Sequence, residues 1–286
     1  MIFRRFILSF VVAWLTLAAV AQSNLDSILY DFHHRPDRVL VAAHRAEHPD
    51  LPENSLAAMK EAIRAGVDII EVDVRETKDG VMIIMHDKTL DRTTTGEGPV
   101  EEKTYAELQE LFLTHKGQPT AEKIPTLEEV FRLAKGKVML DLDYKAGRKK
   151  AAKTTTKLMR KKKIEGQALF FLYDYKDAPA LRKMNKKIQF MMRTYNQEDV
   201  EGVFKQGIPV PVIHADYKFY TDSLMGVIRG KGIRLWMNAL GKYDKMEQEK
   251  KDSGFDALLE MRHTNIIQTD LYRELLDYLR KRGLHR

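Results

Sequence analysis

Two carboxylates one residue apart, Glu71 and Asp73, lie near the end of Asp68–Val74, an apolar stretch that predicts a β-strand. Because side chains alternate faces along a strand, Glu71 and Asp73 point the same way. Two carboxylates in a confined space repel each other unless a cation or a proton lies between them. The pair indicates either a site for a hard divalent ion such as Mg²⁺ or Ca²⁺ or an ion pair with a neighbouring Lys or Arg. The two residues alone favour neither.

Two histidines favour the first interpretation. His44 follows the predicted strand Val39–Ala43, and His86 follows the predicted strand Val81–Met85. Barrel enzymes carry their catalytic groups at the C-terminal ends of strands, and imidazole acts as an acid or a base near neutral pH. Two histidines so placed, beside a carboxylate pair, favour proton transfer on both sides of one reacting centre, such as the phosphorus of a phosphodiester.

Further acidic residues follow along the chain. Asp141, Asp143 and Lys145 are spaced by two, so they share one face if their strand continues as far as the lysine. A third carboxylate would complete a metal site, and Lys145 could neutralise a phosphate oxygen. Arg45, beside the first histidine, could do the same with two N–H donors.

The elements that must position these groups alternate between strands and helices along the chain. This alternation predicts parallel strands joined by right-handed crossovers, and we predict an α/β fold, a TIM (β/α)8 barrel with a small insertion after the third strand. A doubly wound open sheet would show the same alternation, but no Gly-rich phosphate loop follows the first strand. Nine segments are candidates for the eight strands of the barrel, and we expect Val210–His214 to be a short accessory strand. The nine are Val39–Ala43, Asp68–Val74, Val81–Met85, Val138–Asp143, Ala168–Tyr173, Ile188–Met192, Val210–His214, Ile233–Asn238 and Asn265–Thr269.

The length suits one domain, because a barrel of this kind needs about 250 residues. Hydrophobic residues make up 44% of the chain and charged residues 31%, an ordinary balance for a globular protein with a core. We assign residues 22–286 to a single barrel domain. The insertion takes approximately 88–123, a polar stretch too long for a plain connection.

The first 21 residues have the layout of a secretory signal peptide. Arg4 and Arg5 precede the apolar run Phe6–Val20, and Ala19-Val20-Ala21 supplies small residues before a cleavage site at Gln22. The alternative is an uncleaved anchor, but the run is shorter than the roughly 20 residues a spanning helix needs. We expect an exported protein, periplasmic or secreted. With no cysteine in the chain, disulfides and a lipid-modified cysteine are excluded.

The formal charge is +7, and loss of Arg4 and Arg5 with the leader would leave +5. Much of the excess lies between Arg148 and Lys163. A basic run is compatible with nucleic acid or an anionic surface, but an exported protein seldom meets nucleic acid and no aromatic residues interleave with the basic ones. We expect a solvated outer helix, no nucleic-acid partner and only weak contact with an anionic membrane surface. The oligomeric state is not predicted.

Several short motifs follow one another along the chain in a specific order and spacing. They are His44-Arg45, Pro52-Glu53-Asn54-Ser55, Glu71-Val72-Asp73-Val74, Thr77-Lys78-Asp79-Gly80, His86-Asp87, Asp91-Arg92-Thr93-Thr94, Asp143-Tyr144-Lys145, Trp236-Met237-Asn238 and Gln268-Thr269-Asp270. Together they resemble the glycerophosphodiester phosphodiesterase family. The resemblance runs from about Val39 to Leu279. Its front block, from His44 to Thr94, is highly specific, whereas the later motifs match more loosely.

The resemblance implies a barrel whose active site lies at the C-terminal mouth. It implies one divalent cation, Ca²⁺ or Mg²⁺, held by Glu71, Asp73 and Asp143. The residues Arg45 and Lys145 would contact the phosphate of a small-molecule glycerophosphodiester.

The resemblance also implies that His44 and His86 act as general acid and base, in an order that the sequence does not assign. The reaction would be metal-dependent hydrolysis to glycerol 3-phosphate and an alcohol, with water or the substrate's own hydroxyl as nucleophile. Two alternatives are a phospholipase acting on intact lipid or inositol phosphodiesters and a non-catalytic phosphodiester-binding barrel. Neither the head group nor the choice of ion is predicted.

Two positions depart from the family pattern. Ala46 stands where the family has Gly, which matters if the backbone there needs a positive φ. Asp143 stands where the family has Glu, and its side chain is one methylene shorter. These departures bear on metal choice and substrate more than on the class of reaction.

Overall fold

A closed barrel of eight parallel strands forms the centre of the protein in a computed structural model, which describes residues 24–147 and 149–286. The predicted signal peptide therefore lies outside the described residues. None of the described helices is long and apolar enough to cross a membrane. The strands are β1 (Leu40–Ala43), β2 (Ile69–Glu76), β3 (Met82–Ile84), β4 (Thr114–His115), β5 (Gln118–Pro119), β6 (Met139–Tyr144), β7 (Ala168–Leu172), β8 (Gln189–Arg193), β9 (Val212–His214), β10 (Arg234–Asn238) and β11 (Ile266–Thr269).

Helices follow the strands and surround the barrel. They are α1 (24–34), α2 (Leu56–Ala65), α3 (Tyr105–Gln109), α4 (Leu127–Ala134), α5 (Lys149–Lys162), α6 (Ala178–Met184), α7 (Gln197–Lys205), α8 (Asp222–Gly230), α9 (Lys242–Glu249), α10 (Ser253–Leu259) and α11 (Tyr272–Lys281), with 3₁₀ turns at His44–Ala46, Val100–Glu102, Glu165–Gln167, Tyr175–Asp177 and Tyr217–Phe219. Local residues mark where two of these helices begin or end. Thr126 caps α4 in a capping box with Glu129, and α2 ends at Gly66, whose φ is 91°.

The barrel closes because β1 pairs in parallel with both β11 and β2. The remaining order is β11, β10, β9, β8, β7, β6 and β2, with each pair parallel. Our expectation that Val210–His214 is accessory is therefore wrong, because Val212–His214 forms β9 and pairs with β8 and β10. A three-residue strand is too short for its sequence to show which neighbours it pairs with.

The accessory strand is β3, which runs antiparallel to the end of β2. His86 therefore does not end a barrel strand as the sequence suggested. The last residues of β2 extend past the mouth, and β3 returns along them, with Met85 N–H donating to the Asp73 carbonyl at 2.9 Å. This return brings His86 back to the barrel mouth by a route that the strand pattern did not reveal.

Alternation along β2 separates two apolar layers. Ile70, Val72 and Val74 pack outward in the large cluster between barrel and helices, whereas Ile69 packs inside the barrel. The inner cluster also contains Ile28 and other residues of α1, so this helix closes the N-terminal end of the barrel, here called the floor. The opposite end, at the C-terminal ends of the strands, is the mouth.

The segment 88–123 folds over β3 and has a small core of its own. Leu90, Val100, Leu108 and Leu113 pack with Ile83 and its neighbours in a cluster separate from the two barrel layers. The segment carries α3 and the short β4–β5 hairpin. The predicted insertion is thus a packed layer at one side of the mouth.

Candidate active site

Three carboxylates meet at the mouth of the barrel. Each of Glu71, Asp73 and Asp143 offers an oxygen within 4.8 Å of the others. The sheet register explains the cluster, because Asp73 on β2 lies directly opposite Asp143 on β6. Asp141 is the register partner of Glu71 and lies deeper in the barrel, outside the cluster. The shorter side chain of Asp143 therefore reaches the other two carboxylates without help from Asp141.

The electrostatics of this cluster suit a cation. Burial, followed by the charges of Asp73 and Asp143, raises the pKa of the Glu71 carboxyl well above its ordinary value. Glu71 accepts one backbone N–H, from Arg45 at 3.0 Å. Buried oxygen ligands that repel one another favour a hard divalent ion between them, so the residues present fit the ion that the sequence implied.

Lys145 lies against the same cluster. Its ammonium is 2.8 Å from Asp143 Oδ2 and 3.2 Å from Asp73 Oδ1. Burial alone would lower the pKa of Lys145, but Asp143 and Asp73 raise it above its ordinary value, so the ammonium stays charged. Tyr173 donates its hydroxyl to Asp143 at 2.8 Å, and burial next to Asp143 raises the pKa of Tyr173 to about 12.

Arg45 completes the cationic edge from the other side. Its guanidinium forms ion pairs with Asp73 and Glu53, each at 3.2 Å. Asn54 donates its side-chain amide to Asp73 at 2.9 Å, while its own N–H bonds to the Arg45 carbonyl. Two motifs of the front block thus hold one metal-ligand candidate from two directions.

The backbone at Arg45 and Ala46 is left-handed, with φ of 50° and 51°. Such angles are costly for residues with a Cβ and favour glycine. Ala46 is nevertheless fully buried and packs in the outer cluster. In this chain, the position where the family has Gly therefore adopts a positive φ with Ala.

His44 is oriented by a residue that lies far away in the sequence. Its Nδ1 is 2.7 Å from Asp270 Oδ1, which leaves Nε2 for a bound molecule. Asp270 is held in turn by its N–H, which donates to Asp244 Oδ2 at 3.0 Å. Burial, against hydrogen bonds from Thr269 and Asp270, raises the pKa of Asp244 to about 6.

His86 has an equivalent support of its own. Its Nδ1 is 2.6 Å from Asp87 Oδ1, and Arg75 donates to its backbone carbonyl at 2.9 Å. Arg92 joins Asp87 to Glu53 with contacts of 2.7 Å to each. The hydrogen bond from Arg92 is the main reason why the pKa of Asp87 lies well below its ordinary value. Both imidazoles are thus held through Nδ1 by a carboxylate.

A cavity of about 260 Å³ opens beside these groups. His214 lies in its wall and is 5% exposed, and neither ring nitrogen has a hydrogen-bond partner among the described residues. Burial, followed by Arg193, lowers the pKa of His214 well below its ordinary value, so the imidazole is neutral. A neutral imidazole offers one donor and one acceptor to a bound hydroxyl. The wall residues are His44, Glu71, Asp141, Asp143, Phe171, Tyr173, Met191, Arg193, Tyr195, His214, Asn238, Leu240 and Gln268.

A sequence model of the glycerophosphoryl diester phosphodiesterase family matches residues 44–206, more than half of the chain. The chain belongs to this family. The match begins at His44 and includes every candidate site residue up to Lys145.

Relatives named glycerophosphodiester phosphodiesterase align with part of this family member. A glycerophosphodiester phosphodiesterase of Caldanaerobacter subterraneus subsp. tengcongensis is 45% identical over 113 residues, 38% of this chain and 46% of that protein. One of Bacillus subtilis is 37% identical over 134 residues, 43% of this chain and 42% of that protein. The chain thus spans a little under half the length of these relatives.

Solved structures match the whole barrel. A glycerophosphoryl diester phosphodiesterase of Parabacteroides distasonis is 27% identical with a TM-score of 0.79, covering 91% of this chain and 92% of that one. An Oleispira antarctica phosphodiesterase, solved with the product sn-glycerol-3-phosphate, has a TM-score of 0.70 at 21% identity, covering 85% and 97%. The second likeness shows the fold alone.

Six of the seven site residues predicted from the sequence share direct contacts or one cavity wall in the structure of this family member: His44, Arg45, Glu71, Asp73, Asp143 and Lys145. The seventh, His86, is connected to Arg45 through Asp87, Arg92 and Glu53. Sequence reasoning missed the supporting roles of Asp270 and Asp87, although both stand in quoted motifs. His214 was not among the predicted site residues either, yet it lines the cavity.

Proposed function

We propose that this protein hydrolyses glycerophosphodiesters to glycerol 3-phosphate and an alcohol. One observation carries the proposal: three carboxylates, two cationic side chains and two imidazoles that are each held by a carboxylate lie at the mouth of one barrel. Phosphodiester cleavage needs charge neutralisation at the phosphoryl oxygens and proton transfer on both sides of the phosphorus. The family membership and the names of the relatives point to the same chemistry.

We further propose that Glu71, Asp73 and Asp143 hold one divalent cation, Ca²⁺ or Mg²⁺. Bound there, the ion would supply Lewis-acid stabilisation of negative charge on the phosphate. Arg45 and Lys145 both contact Asp73, so their cationic groups lie at the edge of the carboxylate cluster. In that position they can donate to phosphate oxygens that bind beside the cluster.

His44 and His86 are the proposed acid and base. One takes a proton from the attacking hydroxyl, and the other gives a proton to the leaving alkoxide. Asp270 and Asp87 hold the two Nδ1 atoms, so each ring presents Nε2 to the substrate. A carboxylate at Nδ1 also stabilises the imidazolium that forms during proton transfer.

The size of the cavity supports a small substrate. Its volume of about 260 Å³ lies below the roughly 300–1,000 Å³ that is typical of sites for drug-sized ligands. Its wall includes the polar side chains of Asn238, Gln268 and His214. These features suit a polyol such as glycerol better than acyl chains, and so favour deacylated diesters over intact phospholipids.

The test is phosphodiester hydrolysis by the mature protein after chelation and re-addition of Ca²⁺ or Mg²⁺. The substrates would be glycerophosphodiesters with choline, ethanolamine, glycerol and inositol head groups, with intact phospholipids alongside. We expect one ion to restore the release of glycerol 3-phosphate from deacylated substrates. Turnover that is faster on intact lipid would favour the phospholipase alternative. Binding without turnover under every condition would favour a non-catalytic barrel.

We also propose that the protein is exported and that residues 1–21 are removed. The proposal rests on the layout of the leader. Mass spectrometry of the protein recovered from the exported fraction should give a chain that begins at Gln22. A mass that includes residues 1–21 would indicate a retained anchor.

A further inference from the structure

We propose that the floor of the barrel docks onto an anionic lipid surface. Of the five consecutive loops at the floor that precede β6, β7, β8, β9 and β10, all except the loop before β9 present exposed lysines to solvent. The exposed lysines of these loops, here called the basic floor patch, are Lys135, Lys137, Lys163, Lys186, Lys187 and Lys231.

The patch carries one sign of charge. Glu165 is the one carboxylate in the five loops, and it is buried and accepts a hydrogen bond from Asn185. Among the described residues, none of the six lysines forms an ion pair. Clusters of four to eight basic residues are typical of surfaces that bind anionic lipids, and their charges act together within a Debye length of the membrane.

The five loops form one surface, because side chains join the first four and the loop before β10 lines a groove with the loops before β8 and β9. Gln167 donates to the carbonyls of Ala134 and Val138, and Gln189 donates to the carbonyls of Glu165 and Gly166. Arg182 continues the series by donating to the Pro209 carbonyl. The lysines are therefore presented on a continuous face rather than on independent flexible loops.

The patch also contains a groove of about 540 Å³ whose wall combines apolar and basic side chains. Phe204, Ile208 and Val210 line it together with Lys186 and Lys231. The Lys231 ammonium lies 4.8 Å above the Phe204 ring. Basic and apolar side chains side by side match the chemistry of a membrane interface, where headgroup phosphates lie above acyl chains.

The described chain begins beside the basic floor patch. Asn24 donates its side-chain amide to the Lys137 carbonyl at 3.1 Å.

The mouth presents both signs of charge. The loop after β7 carries Asp174 and Asp177 with Lys176 between them, and the loop after β9 carries Asp216 and Lys218. A barrel seated on its floor would turn this mouth away from the bilayer and leave it open to water-soluble molecules. The inference is independent of the reaction at the mouth.

Nucleic acid would also complement lysines, but two features favour lipid. The apolar side chains of the groove have no counterpart in a sugar–phosphate backbone, and the exposed aromatic rings that stack on single-stranded bases are missing from the six lysines' loops in the described chain. Duplex DNA therefore enters the test as a competitor.

The experiment is co-sedimentation with vesicles of phosphatidylcholine alone or mixed with phosphatidylglycerol. The protein is the chain from Gln22 onward, which keeps every residue of the three hydrophobic clusters and so the complete core. We expect binding to the mixed vesicles, little binding to phosphatidylcholine, and release by salt. A floor variant would carry Lys163→Gln, Lys186→Gln, Lys187→Gln and Lys231→Gln.

A matched control would carry Lys60→Gln, Lys116→Gln, Lys176→Gln and Lys218→Gln, four exposed lysines outside the patch. Both variants lose the same charge, and thermal melting would show that both are folded. We expect the floor variant to lose roughly tenfold or more in affinity for mixed vesicles and the control to lose far less. Equal losses in the two variants would overturn the proposal. Stronger binding to duplex DNA than to the vesicles at the same salt would overturn the assignment to lipid.

Discussion

Two buried carboxylates, one at the floor and one at the mouth, lie three residues apart in the chain and behave in opposite ways. Asp68 immediately precedes β2, and Glu71 lies within it; they are 0% and 2% exposed. Burial alone would raise the pKa of Asp68, but the hydrogen bond and charge of His285 and the charge of Arg286 lower it. For Glu71, burial and neighbouring carboxylates all raise the pKa.

The difference in pKa distinguishes Asp68, whose charge is neutralised within the fold, from Glu71, whose charge can bind a ligand. Asp68 is surrounded by donors: Val41 N–H at 2.7 Å, His285 at 2.8 Å and Arg286. Glu71 faces other acids and has one backbone donor. A buried charge without partners is costly. The carboxylate at the floor therefore stabilises the fold, whereas the carboxylate at the mouth destabilises it in the absence of a cation and forms part of a site that can bind one.

The largest expected effect is a loss of turnover, and it appears when histidines at the mouth are compared with a histidine at the floor. Replacing His44 or His86 with Ala should lower kcat by roughly 100- to 10,000-fold, because each removes a proton-transfer group, while the melting temperature stays close to that of the parent. Replacing the buried His285 with Ala should cost about 2 kcal/mol of stability, because Asp68 loses a hydrogen bond from a buried partner, while kcat is kept. Steady-state kinetics and denaturant unfolding measure both. Near-normal turnover by His86→Ala would contradict the proposed mechanism.

A second comparison replaces each of the two carboxylates with its amide. The free energy of unfolding is measured with a denaturant in the presence of a chelator. Asp68→Asn should lower the free energy of unfolding by about 3 kcal/mol, because it leaves Arg286 and His285 without their buried partner. Glu71→Gln should leave it unchanged or raise it, because it removes a repelled carboxylate. Added Ca²⁺ or Mg²⁺ should stabilise the parent and not Glu71→Gln. A loss of stability in Glu71→Gln as large as that in Asp68→Asn would remove the distinction between the two ends.

The third prediction concerns pH and Asp244, which supports Asp270 at the mouth. Its folded pKa of about 6 lies above the ordinary Asp value of 3.8, so its contribution to stability is present below the lower value and is lost as pH rises through about 6. The shift corresponds to about 3 kcal/mol. Asp244→Asn should flatten the pH dependence of the free energy of unfolding over this range by a measurable part of that amount. Identical pH profiles for parent and variant would show that Asp244 keeps an ordinary pKa.

The smallest effect is expected at Ala46. Its φ of 51° costs an L-residue roughly 1–2 kcal/mol, but Gly would lose a buried methyl group and gain freedom in the unfolded chain. Ala46→Gly should therefore raise the free energy of unfolding by at most about 1 kcal/mol and leave kcat within about twofold. Ala46→Val should destabilise by more, because a β-branched residue fits a positive φ poorly. If Ala46→Gly changed kcat strongly, the turn would differ from the one described.

Much of the site could be predicted from the sequence because its geometry is local. Glu71 and Asp73 share a face by the period of two, and His44 and Arg45 follow directly on a strand whose end defines the mouth. The motifs around them are specific enough to identify the family. Alternation of strands and helices likewise predicted the barrel, since parallel strands with crossover helices allow few other arrangements.

The features that the sequence did not disclose depend on pairing between distant segments. The strand order decided that Val212–His214 belongs to the barrel and that β3 does not, because a short apolar run does not identify its neighbours. The contact between His44 and Asp270 joins residues 226 positions apart. Likewise, the basic floor patch is assembled from separate loops, each with only one or two of its lysines. Residue types and local spacing thus determined the chemistry of this protein, and barrel closure, which brings both ends of the chain together, decided which groups meet.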